Sequence, residues 1–463
     1  MPDADLPLYP PTFAPTEQPL GRLAFLARCA RNPLATIPAA AYREPSAEVV
    51  FNGIRTIWLS EPAALEDVLV TQAAQFGKTE LEARLFAPVI GQGVLTADGS
   101  DWRWQRRVLA PLFRPGEVLT YVADMSTAAE RQIAGWRAAC GKRGGASTTI
   151  TRAIDDDMTR ATYDVIVRTM LYGGAPDDVD RVMDAGQRYL SGTPWTLAYG
   201  MLGLPSWLPH PASLRLRRAA REFRASVAAI ITDRRRRGGE AHDLLGRLLA
   251  ARDPETDAPL TESLLVDNLA TLLEAGHETT AKALTWALYL LARAPRWQDA
   301  IRAEVQTVCA DQAITAEHVA RLTITERVIK EALRLYPPAP IMSRTPLETT
   351  NAGGIELHPG DHIIIPIFAI HRHASLWDDP DRFDPDRFLP DREAALKRTQ
   401  FMPFGAGPRI CLGAAFAMVE AKVLLASFVR AARFDWDGRH LPEPLSRVTL
   451  HPEGGMPLAV TML

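Results

Sequence analysis

The chain has 463 residues, 47% of them hydrophobic, and a formal net charge of −3. That apolar fraction is ample for a sizeable core, while the slightly acidic balance argues against a nucleic-acid binder that depends on a basic surface. The four cysteines, Cys29, Cys140, Cys309 and Cys411, are widely scattered without a CxxC pair, a spacing that implies neither a zinc site nor a disulfide framework.

Length alone would suggest two or three domains, but no Gly/Ser-rich linker or long charge block divides the chain, so a single unit over 1–463 is expected. Prolines at 7, 10, 11, 15 and 19 predict an extended arm over residues 1–20. Residues 20–42 are apolar but interrupted by Arg22, Arg28 and Arg31, and encode neither a membrane span nor a signal core. Runs at 49–51 and 54–59 flank Asn52-Gly53, a dipeptide suited to a hairpin turn. From 119 to 334 the pattern is helical, with apolar residues at three-and-four spacing among Ala, Leu, Arg and Glu. A β-branched run at 362–368 follows Pro359-Gly360 and reads as a further strand. The expected class is mainly α with a small β-sheet region, an α+β arrangement.

Within this frame, Trp102 and Arg106 stand one helical turn apart in GSDWRWQRR. The four arginines at 234–237 read as a solvated helix end whose cations complement the dipole. Residues 261–294 are almost uninterrupted helix formers closed by Pro295, enough for a helix of about 50 Å. At its middle lies Ala275-Gly276-His277-Glu278-Thr279-Thr280, where an acid in an apolar helix is costly without a task or a partner. Ala275 and Thr279 share a face, and His277 points about 200° away from both. Glu331 and Arg334 form an ExxR pair that carries little information alone, since about one such pair arises per chain of this length. Residues 404–413 read FGAGPRICLG, with Cys411 among glycines and followed by an apolar helical pattern over 412–430. Gly407 and Gly413 are expected to let the backbone turn tightly and bring N–H groups near the sulfur. The following helix N-terminus and Arg409 are expected to favour a thiolate, a strong metal ligand. A free cysteine is otherwise most often a small buried hydrophobe.

The spacing Phe404, Gly407, Arg409, Cys411, Gly413 resembles the haem-binding loop of the cytochrome P450 superfamily, and the AGHETT segment, the ExxR pair, Pro385-Asp386-Arg387-Phe388 and the WxxxR pair resemble its other elements in the expected order. The resemblance implies that family's fold, with haem b between a long distal helix and a proximal cysteine loop and helix. Cys411 would ligate iron. Trp102, Arg106, Ala275, Arg344, Phe404, Gly407, Arg409 and Gly413 would contact the cofactor, and Glu331, Arg334 and Arg387 would form a buried network beneath the loop. Thr279 and Glu278 would deliver protons during oxygen activation. Phe86, Leu272 and Ile341, in a mainly apolar lining drawn from 85–94, the long helix and 340–342, would face a lipophilic substrate, with residues 189–209 near the entrance.

The implied activity is a monooxygenase that inserts one atom of O2 into such a substrate by hydroxylation or epoxidation. The chain shows no flavin or nicotinamide motif and no iron–sulfur cysteine cluster, so electrons would come from a separate ferredoxin and reductase or a flavodoxin-type donor. Arg103, Arg107 and Arg114 could form a basic landing site for that partner or be plain solvated charges. The absence of an N-terminal anchor suggests a soluble, cytoplasmic enzyme of bacterial type. The alternatives are a peroxide-driven or rearranging member of the same family and a non-catalytic haem-thiolate ligand sensor.

Overall fold

The computed structural model describes residues 6–17, 20–51, 53–141, 148–171, 176–201, 203–237, 243–253 and 255–463. Asn52 of the expected hairpin turn, and residues 1–5 and 18–19 of the proline-rich arm, lie outside the described residues. The helices that matter for the site are α1 (Glu80–Ile90), α2 (Gly99–Leu109), α3 (Ile154–Leu171), α4 (Pro176–Leu190), α5 (Ser213–Arg237), α6 (Glu262–Arg293), α7 (Thr323–Leu335) and α8 (Ala414–Ala431). Strands are few and short, so the chain is mainly α with small sheets.

The long helix α6 starts where the Thr261 side chain accepts the Leu264 N–H, and stops before Pro295, which cannot continue the ladder. Its flanks pack on α1, α3, α5, α7 and α8. Being apolar on nearly every side, it is a central beam, not a surface helix. Leu269, Leu284, Trp286 and Leu288 are all at most 1% exposed and tie it into one core with α3, α7 and α8. At the end of α5, Arg234 pairs with Asp243 at 2.6 Å and Arg235 with Glu262 at 2.7 Å, so those arginines act as a salt-bridged helix end.

A five-stranded sheet runs β1 (Ser46–Phe51), β2 (Ile54–Leu59), β5 (His362–Ile365), β4 (Met342–Pro346), β3 (Phe76–Gly77) in spatial order. β1 and β2 form the expected hairpin, with Ser46 opposite Leu59. β5 lies parallel to β2, Thr56 opposite His362, and antiparallel to β4, Arg344 opposite Ile363. The strand expected over 362–368 ends at Ile365, because Pro366 lacks the N–H a ladder needs and Ile367–Ile370 turns helical instead. A second apolar cluster under this sheet includes Ile57, Ile363, Ile365 and Met402, so the sheet abuts the segment that leads into the cysteine loop. Two further strands, β6 (Pro444–Arg447) and β7 (Thr449–Pro452), form a hairpin that packs on α6.

Candidate active site

The loop before α8 is shaped by its backbone. Cys411 donates its N–H to Phe404 O at 2.8 Å, which folds the segment back on itself. Gly407 has φ +69°, and a Cβ there would stand 1.8 Å from Leu69 O, so only glycine fits. Gly413 departs from expectation: its φ is −88° and an added Cβ would meet no atom within 4 Å, so the turn itself does not demand glycine. Its contribution is a backbone N–H directed at the Cys411 sulfur.

Cys29, Cys140 and Cys309 are buried, whereas Cys411 is exposed. Burial in the surrounding protein nevertheless pushes the Cys411 thiol up, and the Gly413 N–H and the Arg106 charge only partly offset this. The cation that acts on the sulfur is therefore Arg106, not Arg409 as the sequence order suggests. Arg106 also donates from Nη1 to Ile410 O at 2.7 Å, which docks α2 on the loop. Arg409 lies over the Trp102 ring, 4.4 Å from its centroid, and is held by Ala97 O and the Asp98 carboxylate. Both members of the WxxxR pair thus reach the loop.

Arg344 is 7% exposed, bonds the carbonyl of Ser343, and has no carboxylate partner among the described residues. Its charge bears on Arg409 and on Lys78, whose ammonium is shifted down by burial first and by these two guanidiniums next. Lys78 joins this cationic cluster although no motif marks it; the only sequence hint is a lysine just before the Thr79 cap of α1. Arg106, Arg344, Arg409 and Lys78 outnumber the acids beside them, Glu82 and Asp98. An exposed thiol with such a cluster beside it fits a metal-bearing ring that carries carboxylates, and so fits the residues expected to hold haem.

On α6 the middle turn differs from the rest of the beam. Ala275 is exposed, and Glu274, Gly276 and Thr279 are only partly covered, although the helix is otherwise buried on both sides of them. An interior helix with an open central turn borders a cavity. Thr279 bonds back to Ala275 O at 2.9 Å and lies on that open side. His277 is buried with Nδ1 2.8 Å from Leu273 O, turned away as expected. Glu278 is also buried: its Oε1 accepts from Thr449 at 3.0 Å and pairs with His451 Nε2 at 3.0 Å. Burial would raise this carboxyl, but the His451 bond and charge, with His277 and Lys282, carry it below its ordinary value. His451 was not legible as a site residue, since the β6–β7 hairpin that delivers it carries no strong strand signal. Phe86 and Ile341 are partly buried against the core, and Leu272 is 8% exposed, on the helix turn that precedes the opening. In 189–209, Trp207 is 76% exposed and Tyr199 meets His210 edge-on.

Beneath the loop, Glu331 and Arg334 are fully buried and joined by two bonds of 2.7 and 2.8 Å. Arg334 also donates to His371 O, Pro380 O and Arg382 O. Arg387 completes the triad as an ion pair 3.6 Å from Glu331 and donates to Asp379 O. Asp386 takes a different partner, Arg327. His371 links this network to the loop: Met402 N–H donates to its Nε2 at 3.0 Å, so Nδ1 carries the proton and donates to Arg334 O at 3.2 Å. Burial, then Arg334 and Arg372, push its pKa down to about 3. Arg107, one of the three arginines read as either a landing site or solvated charges, is tied to Asp253 at 3.1 Å and Glu255 at 3.2 Å, while Arg103 and Arg114 are exposed.

A helical frame with a central beam opened at one turn, and an exposed thiol on a cation-lined loop, fit a protein that encloses a carboxylate-bearing cofactor held through sulfur. The sequence model described as "Cytochrome P450" matches residues 39–458. Cyclooctatin synthase of Streptomyces melanosporofaciens is 33% identical, over 96% of this chain and 93% of that protein. A cytokinin hydroxylase of Arabidopsis thaliana is 31% identical over 90% and 80%. The crystal structure of the cytochrome P450DA heme domain superposes with a TM-score of 0.82 at 25% identity, covering 98% of this chain and 99% of that one. The chain belongs to the cytochrome P450 family and is an oxidoreductase of the monooxygenase class. No helix among the described residues is long and apolar enough to cross a membrane.

Proposed function

We propose that the chain binds haem b through Cys411 and hydroxylates or epoxidises a lipophilic small molecule with one atom of O2. The observation that carries this reading is the Cys411 thiol, exposed yet surrounded by protein and faced by Arg106. Bound there, haem supplies iron-centred activation of dioxygen, assisted by electron donation from the cysteinate as is general for this family. The residues around it bind, orient and move protons. Cys411 gives the ligand sulfur and the Gly413 N–H stabilises its charge. Arg106, Arg344, Arg409 and Lys78 would hold the haem carboxylates, with Trp102 backing Arg409. Phe404 and Gly407 shape the loop, and the small side chain of Ala275 would leave room for the cofactor.

Thr279 is the hydroxyl on the open side of α6, and in the loaded enzyme it would turn its O–H from Ala275 O toward the dioxygen site. Glu278, held as a carboxylate, would accept protons from His451, which is 24% exposed, and pass them on toward the open side of α6. Glu331, Arg334 and Arg387 position the loop from below. Phe86, Leu272 and Ile341 contact the substrate's apolar body. Electrons come from a separate ferredoxin or flavodoxin-type donor. It docks at the loop's outer side, where a hollow of ≈ 430 Å³ is lined by Phe404 and Ile410 of the loop and by Lys422 of α8. Arg103, not Arg107, is the cation of α2 free to meet it.

The test is turnover of a lipophile library under labelled dioxygen with NAD(P)H and a surrogate ferredoxin and reductase. One labelled oxygen atom in a product that requires the donor supports the reading. Equal product from peroxide alone, without benefit from the donor, overturns it.

A further inference from the structure

The apolar lining of the cavity is broken by one carboxyl that the roles above leave unused. Glu274 precedes the exposed Ala275 on α6 and is itself only partly covered. It has no hydrogen-bond or ion-pair partner among the described residues, while every other acid along this stretch has one: Asp267 binds Arg224 and Glu278 binds His451. Its place is built by the neighbouring helix. A Cβ on Gly186 of α4 would stand 2.6 Å from the Glu274 carboxyl oxygen, so the glycine makes room for it. One turn along α4, Tyr189 is buried beside it and donates its hydroxyl to Leu85 O of α1 at 2.9 Å. Glu274 therefore lies on the open turn of α6 beside α4, whose Tyr189 reaches α1.

We propose that Glu274 is the polar anchor of the substrate pocket and that the substrate is a lipophile bearing an oxygen acceptor, a carbonyl or hydroxyl, which takes a hydrogen bond from this carboxyl. The proposal rests on the monooxygenase reading and narrows its substrate class. A carboxyl set among apolar helices without a partner is costly, and a ligand oxygen satisfies it without a second charge. Burial first, and the Glu278 charge next, push Glu274 up to about 8, so it stands protonated at neutral pH and acts as a donor. The titratable groups that bear on it are Glu278 of α6 and Tyr189 of α4. The guanidinium of α5, Arg224, is committed to Asp267 and Val89 O.

Binding of cyclododecane, cyclododecanone and cyclododecylamine to the haem-loaded protein tests this, by equilibrium dialysis, which reads occupancy whatever the iron does. The ketone can only accept, so its advantage over the hydrocarbon isolates the donor. That advantage is expected to be about fivefold to tenfold at pH 7. It should vanish as pH rises past 8 and the carboxyl ionises. Glu274→Gln, which donates at all pH values, should keep the advantage and lose the pH dependence; Glu274→Leu should lose the advantage while still binding the hydrocarbon. An advantage unchanged in Glu274→Leu overturns the proposal, as does tightest binding of the amine, which would mark the group as an anion. A carbon-monoxide spectrum of the unmodified protein without thiolate character would overturn the monooxygenase reading itself, independently of these affinities.

Discussion

Glu278 and Thr279 are adjacent in sequence but face different surroundings. Thr279 lies open on the cavity, while Glu278 is clamped to Thr449 and His451. On the proposed reading a proton therefore reaches the Glu278 carboxylate through His451, and the last transfer belongs to Thr279. Thr279→Ala should reduce product formation by at least about a hundredfold and divert electrons to hydrogen peroxide, with haem content unchanged. Product yield per NAD(P)H measures this, and tight coupling in the mutant would contradict the role. At this scale the sequence is most legible where local chemistry is unusual: a lone cysteine between glycines, or an acid and an alcohol in an apolar helix. Partners contributed from far along the chain escape it. His451 meets Glu278, Arg106 meets Ile410 O and Asp98 meets Arg409 only because the topology joins them.

Among elements, α6 was legible nearly to its ends, expected over 261–294 and formed over Glu262–Arg293, because its cap and its terminating proline are local signals. The strand at 362–368 was overextended because periodicity said nothing about Pro366, and β6–β7 is too short to register above its neighbours. The ExxR pair had little weight as a pattern and gains it through packing. Arg334 is fully buried with Glu331 as its bidentate partner, so Glu331→Gln leaves a guanidinium uncompensated in the interior. A loss of about 3–5 kcal/mol of stability is expected, together with weakened haem retention, since the same network supports the loop through His371. Urea unfolding of the two proteins checks it, and a loss below about 1 kcal/mol would mean that the pair behaves as a surface ion pair.

For the molecule as a whole, His371 makes stability depend on pH. The unfolded chain takes up a proton near the ordinary value of 6.5, whereas the folded chain refuses it until about 3. Stability is therefore fully present above 6.5 and falls as pH decreases through that window, by up to about 1.4 kcal/mol per pH unit from this one residue. Urea midpoints measured between pH 7 and 5 should show the fall, and His371→Asn should flatten it. An identical slope in the variant would place the acid sensitivity elsewhere.

Every assigned role depends on sulfur ligation by Cys411, and the absorption spectrum of the dithionite-reduced, carbon-monoxide-treated protein reads that ligand directly. The account predicts a strongly red-shifted Soret band that disappears in Cys411→Ala. A band at the position of a nitrogen-ligated haem in the unmodified protein, or one that survives loss of Cys411, would contradict it.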